Sequence, residues 1–320
     1  WPAFTFGDIR FVDTDPRQKL PPLKLAELGL KPGAPALSTD VLNAQKKIVD
    51  ALRAERHALA KVAGRDTVAN HATRTLNVTF RVDPGPPATF GPVTVKGTKD
   101  VDPDLVRRRV PFHPGERFDP KKLDRLREDL TSLDVFRTIR IVEADHLDTQ
   151  GRLPITIEVA EKPHHFVGAS ASYDSTEGAS RTAYWGERNL FGGGEHLRFD
   201  ATVARLFENR LGSLDYSAGV TFTKPSVWTP QDDLVLQLKA LREEPDAYTR
   251  RGAVAAATLQ RRISPQWTVK AGLSAEISRI TDYFGTGNYY LLGVPIEADW
   301  DTTDNKLDPK SGFRVALVGE

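Results

Sequence analysis

The chain has 320 residues, 44 Lys and Arg against 43 Asp and Glu, and neither cysteine nor methionine. The charge balance argues against a nucleic-acid partner, the missing thiols exclude a disulfide framework or a thiolate metal site, and no apolar run approaches the ~20 residues a membrane helix needs. Membrane strands remain open, because each needs only about 9–11 residues with half of them facing lipid. With Trp1 first, no methionine and no signal peptide, the chain is expected to be an excerpt of something longer.

Phe4, Phe6, Ile9 and Phe11 open the chain as a strand. Pro21-Pro22 and Lys31-Pro32-Gly33 punctuate a short linking segment. Ser38 or Thr39 is placed to cap a helix whose apolar stripe is Val41, Leu42, Gln45, Ile48, Val49 and Leu52. Two strand-like runs follow, ending in Leu76, Val78, Phe80 and Val82, before the turn Asp83-Pro84-Gly85. The pattern then restarts. Phe90-Gly91 echoes Phe6-Gly7, and Pro114-Gly115 echoes Pro32-Gly33. Asp119-Pro120 sets a second helix start, with Leu123, Leu126, Leu130 and Leu133 as its buried stripe. Ile139/Ile141 and Ile155/Ile157/Val159 close the copy as strands. Two β-α-α-β-β units are expected, an α+β region over residues 1–86 and 87–163.

From residue 164 no helical period returns. Val167, Ala169, Ala171 and Tyr173 alternate with Gly168, Ser170 and Ser172, and similar alternation follows in 195–206, 212–223, 234–240, 267–278 and 290–300. Residues 253–262 are alanine-rich and ambiguous. The run 290–300 carries Tyr290 and Trp300 at its ends and aliphatic residues between, the distribution that two membrane–water interfaces select. Residues 164–320 are therefore expected to form about eight or nine strands of an all-β transmembrane barrel. A soluble sandwich is the structural alternative.

Candidate chemistry is sparse. His164-His165 is expected to be a solvated hinge rather than a metal site, and Arg107-Arg108-Arg109 a solvated helix face. Asp299, Asp301, Asp304 and Asp308 are expected to be strand-end carboxylates facing the lumen, since no calcium-loop spacing supports them. Gly192-Gly193-Gly194 lacks the Lys-Ser/Thr of a phosphate loop and is expected to be a turn. Glu187 and Arg188 are expected to make lumenal ionic contacts. No nucleophile elbow is present, so no enzyme, cofactor or metal is expected.

Two motifs carry a resemblance. The first is Glu187-Arg188-Asn189-Leu190-Phe191-Gly192; the second runs from Asp301 through Asp304, Asn305, Asp308, Pro309 and Gly312 to Phe313. Both resemble the bacterial surface-antigen superfamily of outer-membrane assembly and translocation barrels preceded by periplasmic POTRA domains. Pro114-Gly115-Glu116-Arg117-Phe118-Asp119 resembles a POTRA repeat, and residues 285–293 resemble the TamA branch. The resemblance implies a sixteen-stranded barrel, of which the first half is here, and three POTRA units where two are counted. The superfamily's Arg-Gly-Phe/Tyr motif is absent. Implied partners are outer-membrane lipid, unfolded outer-membrane protein substrates and an inner-membrane-anchored, periplasm-spanning partner of the TamB type, at the outer membrane of a Gram-negative bacterium. An exporter for one large secreted substrate is the rival. Phe166, Val167, Gly168, Ala169, Ser170, Ala171, Ser172 and Tyr173 are the expected first barrel strand. Their small side chains suggest a weak, openable seam; a fit to a crowded lumen is the alternative.

Overall fold

The structure is a computed structural model that describes residues 4–14, 20–174, 178–206, 214–245, 247–304 and 308–319. The first copy runs β1 (Thr5–Asp13), α1 (Leu25–Leu28), α2 (Ser38–Ala54), β2 (Lys61–Asn70) and β3 (Thr75–Asp83). The second runs β4 (Thr89–Lys96), α3 (Pro103–Arg107), α4 (Pro120–Ser132), β5 (Phe136–Glu143) and β6 (Arg152–Glu161). Each makes a three-stranded sheet with its first strand parallel to its last, in the orders β1-β3-β2 and β4-β6-β5. In both, the parallel register shifts just after the Phe-Gly pair, between Phe6 and Ile9 and between Phe90 and Val93. That shared irregularity ties the sequence repeat to a structural one.

Two local expectations change. Ser38 is the first helical residue rather than the cap, and Leu37 precedes the helix with no side-chain capping bond. The buried stripe of α2 is Val41, Ala44, Ile48 and Leu52, while Leu42 stays exposed, because the sheet meets a face one position away from the most apolar one. Asp119 does cap α4, accepting from the Lys121 amide at 3.0 Å.

Contacts divide the chain into two compact units that interleave in sequence: Trp1–Lys96, Val110–Glu128 and Ile139–Val159 in one, and Gly97–Arg109, Asp129–Thr138 and Ala160–Glu320 in the other. In the first unit the α2 stripe packs with Phe6, Leu28, Leu30, Val78, Phe80 and Val82, and Phe90 stacks on Phe112 with ring centres 3.8 Å apart. Each such side chain contributes about 1.5–3 kcal/mol on leaving water. A half-exposed pair such as Arg81–Asp66 contributes about 0–1 kcal/mol, so the core decides this unit's stability. Arg53 of α2 joins the two copies, donating to both Glu143 carboxylate oxygens at 2.8 Å while lying over the Phe118 ring.

The second unit is dominated by one ten-stranded antiparallel sheet. Its strands are β7 (His165–Asp174), β8 (Gly178–Arg188), β9 (His196–Leu206), β10 (Asp215–Lys224), β11 (Asp232–Glu243), β12 (Tyr248–Arg262), β13 (Trp267–Asp282), β14 (Gly285–Gly293), β15 (Ile296–Asp301) and β16 (Arg314–Gly319). The alanine-rich stretch 253–262 belongs to β12, a strand of 15 residues. β14 and β15 both pair with β13, and one register runs through them: Ser274 faces Gly293, and Ala271 faces Ile296. They are a single strand interrupted at Pro295, which has no N–H to donate to the ladder. No described helix is long and apolar enough to cross a membrane, which says nothing about strands.

Candidate functional site: the sheet wall and its first strand

Antiparallel pairing fixes which side chains share a face. Val167, Trp185, Phe199, Val220, Leu238, Ala255, Ala275 and Leu292 form one continuous cross-strand row. Neighbouring rows on the same face add Phe222, Leu236, Ala257 and Leu273, then Leu234, Leu259, Ala271 and Ile296. No second sheet covers this face among the described residues: Val167 is 75% exposed, Tyr290 78% and Leu292 89%. A water-soluble sandwich would bury it, so the sandwich alternative fails here. Trp300, at the far end of the run from Tyr290, stacks on Trp267 and meets Phe313 edge-on.

The opposite face is polar and carries ion pairs between neighbouring strands. Arg250 donates to Glu276 at 2.6 Å and to Glu243 at 3.2 Å, and Lys270 lies 2.9 Å from Glu297 and 3.3 Å from Asp299. One wall thus carries an oily surface and a wet one.

β7 ends the path of paired strands, hydrogen-bonded to β8 on one side. The polar face of this pair is a chain of rings over glycines. Tyr184 covers Gly168, where a Cβ would lie 2.2 Å from the Tyr184 hydroxyl oxygen; Phe166 covers Gly186, and Arg188 and Arg198 lie over the Phe166 and Tyr184 rings at 4.3 and 4.2 Å. Gly168 is small because a ring occupies its space. Beyond it, Ala169, Ser170, Ala171 and Ser172 bring only small groups, with Ser172 Oγ 2.7 Å from Ser180 Oγ. One half of β7 is held firmly and the other thinly.

The motif residues serve turns more than the lumen. Glu187 shares the apolar face with Trp185 and makes no ion pair among the described residues, correcting its expected lumenal role. Arg188 is ionic, but its partner is Asp134 at 3.2 Å, in the turn before β5. Burial alone would raise the Asp134 carboxyl; hydrogen bonds from Lys162 and Arg188 outweigh it and hold the carboxyl below its ordinary range. Asn189 takes a left-handed backbone, is buried, and accepts from the Gly194 amide at 2.9 Å; Glu195 accepts from the Phe191 and Gly193 amides. Leu190 donates its amide to the Glu195 carbonyl, and the Gly192 carbonyl accepts from the Asp102 amide beside α3. His196 lies 2.8 Å from the Leu133 carbonyl. The turn between β8 and β9 is therefore a socket for α3 and the end of α4.

A second turn is built by the other motif. Asp301 accepts from Thr303, and Asp304 accepts from the Lys310 and Ser311 amides, so these two staple the turn; Asp299 pairs with Lys270 on the polar face. Asp308 and Pro309 lie in this turn, Gly312 has a left-handed backbone that closes it, and Asn305 lies outside the described residues. Arg109 corrects the expected solvated face. It is 2% exposed and donates to the Asp129 carbonyl at 3.0 Å and to Ser226 Oγ at 2.5 Å. Burial, helped by nearby Arg262, lowers its guanidinium to about 10. Its sequence signal was an Arg run with no spacing to say which member turns inward.

Asp100, Glu161 and His164 offer ligand atoms within 4.8 Å of one another. Glu161 is already engaged, accepting from the amides of Lys99, Asp100 and Val101 at 2.7–3.1 Å. Burial pushes its carboxyl up, but those amides more than reverse this and hold it below its ordinary range. A carboxylate with a depressed pKa stabilises the fold above its unfolded value and loses that contribution as pH falls through the folded one. Protection of the 99–101 amides, taken relative to their intrinsic exchange at each pH, is expected to fall as pH drops through the carboxylate range, and Glu161→Gln to flatten that dependence; equal protection profiles for the two proteins would refute the assignment.

A surface antigen variable number repeat, the POTRA repeat, matches residues 88–162, and an Omp85 superfamily domain matches residues 189–320. No curated protein matches the chain in sequence. Among solved structures, BamA from Haemophilus ducreyi lacking POTRA domains 1-3 superposes with a TM-score of 0.71 at 15% identity, covering 98% of this chain and 63% of that one. CdiB from Acinetobacter baumannii superposes with a TM-score of 0.53 at 14% identity, covering 99% and 62%. The chain spans less than two thirds of either solved chain, and at these identities the likeness is one of fold.

Proposed function

This chain belongs to the Omp85 superfamily, and from that premise we propose that it inserts or translocates proteins at the outer membrane of a Gram-negative bacterium, with its POTRA repeats in the periplasm. The observation that carries the proposal is the uncovered apolar face running across the whole sheet, which only lipid satisfies. Within that role the chain works in the manner of TamA. A substrate strand adds to an exposed POTRA sheet edge, then to β7, whose outer row of N–H and C=O groups is a template for a further strand. The thin Ala169–Ser172 half supports a seam that parts at low cost. Catalysis here makes and breaks no covalent bond, and needs no cofactor. The substrates are unfolded outer-membrane proteins, and a periplasm-spanning TamB-type protein is the inner-membrane partner.

Cysteine pairs joining β7 at Ser170 or Ser172 to the last strand of the full-length protein test the seam. Oxidation is expected to abolish assembly of a reporter barrel by more than tenfold, with reduction restoring it. Undiminished assembly with the seam locked would end the gating proposal. If only one dedicated secreted substrate needs the protein, the exporter alternative holds instead.

A further inference from the structure

The apolar band ends, on the side away from the turns that meet α3, in three arginines on adjacent strands. Register sets Arg242 of β11 opposite Arg251 of β12, and Arg251 opposite Arg279 of β13. All three share the face of Ala240, Ala253 and Ile277 one step below, and of Leu238, Ala255 and Ala275 two steps below. Tyr216 flanks the row on β10 and Asn288 on β14.

Like charges directly opposite on neighbouring strands repel, so such a row costs stability unless a counter-charge answers it. On the polar face, one residue away, Arg250 is answered within the sheet by Glu276 and Glu243. Of these three, only Arg242 is answered, by Glu244 at 3.1 and 3.2 Å. Arg251 and Arg279 are exposed and have no acidic partner among the described residues. Among the described residues one carboxylate stands against three guanidinium groups, an excess of two positive charges that a phosphate-bearing ligand would answer.

We propose that Arg242, Arg251 and Arg279 form a binding site for the phosphomonoester headgroup of an outer-leaflet lipid. Three strands span about 10 Å, within reach of one phosphate and its neighbouring headgroup atoms. A phosphomonoester carries about −1.5 to −2 charges and three acceptor oxygens, matching both the uncancelled charge and the forked donors better than a phosphodiester does. Long arginine stems can cover apolar surface while their guanidinium groups reach the headgroup level.

The proposal rests on the wall's facing lipid, and its test separates the two. Full-length protein is reconstituted in nanodiscs of phosphatidylcholine alone, with added lipid A bearing two phosphomonoesters, or with phosphatidylglycerol at matched charge. Failure to enter phosphatidylcholine discs would overturn the lipid-facing wall itself. Lipid A is expected to raise the thermal midpoint and to remain bound in native mass spectrometry. The Arg251→Gln/Arg279→Gln double variant is expected to enter phosphatidylcholine discs normally and to retain roughly tenfold less lipid A. Arg181→Gln, in the same cross-strand row but between Ala171 and Val203, is expected to behave as wild type. Equal stabilisation by phosphatidylglycerol, or an unchanged response in the double variant, would overturn the site.

Discussion

Gly186→Val is expected to detach the lower half of β7 from the sheet, at a cost of about 3 kcal/mol. A side chain at position 186 would place its Cβ 2.3 Å from the Phe166 ring and 2.8 Å from the Leu197 carbonyl oxygen. The ring could swing away, but it is held under Arg188, and the carbonyl belongs to the β9 backbone. Hydrogen exchange of the β7 amides, compared with those of β10 as an internal reference, reads the effect. Phe166→Ala in the same chain is expected to recover part of the loss, because one of the two collisions then disappears. Protection of β7 unchanged in Gly186→Val would show that the ring-over-glycine contact does not hold the strand. On the proposed mechanism, β7 can accept a substrate strand only while β8 holds it from the other side.

Arg109→Ala is expected to lower stability by about 2–4 kcal/mol and to loosen α3 from the strand turns. It removes the donors to the Asp129 carbonyl and to Ser226 Oγ and leaves a cavity where a large side chain was buried. Arg109→Met separates these contributions, restoring volume and removing a costly buried charge while leaving both acceptors unmet. About half the loss is expected to return. Urea unfolding followed by tryptophan emission measures both variants; a neutral Arg109→Ala would show that the buried guanidinium is dispensable.

How much of this was legible beforehand depends on whether the signal was periodic. The alternation of Val167, Ala169, Ala171 and Tyr173 named the outward face of β7, and the run from Tyr290 to Trp300 named that of β14 and β15, even across Pro295. Helix stripes were readable to within a position, as the exchange of Gln45 for Ala44 shows. Single polar residues were not. Glu187 and Arg188 are neighbours and therefore point to opposite faces, so one shared role could not hold for both. Asn189, Asp301 and Asp304 accept from local amides, and nothing in their spacing reveals that.

By itself the sequence determined a repeated β-α-α-β-β fold and a long amphipathic sheet, because period and punctuation are properties of the chain alone. Only the tertiary structure decided that Arg109 is buried, that rings fill the space over Gly168 and Gly186, and that three arginines align on adjacent strands. Those facts depend on register and packing between residues far apart in sequence, where a shift of one position sends every side chain to the other face.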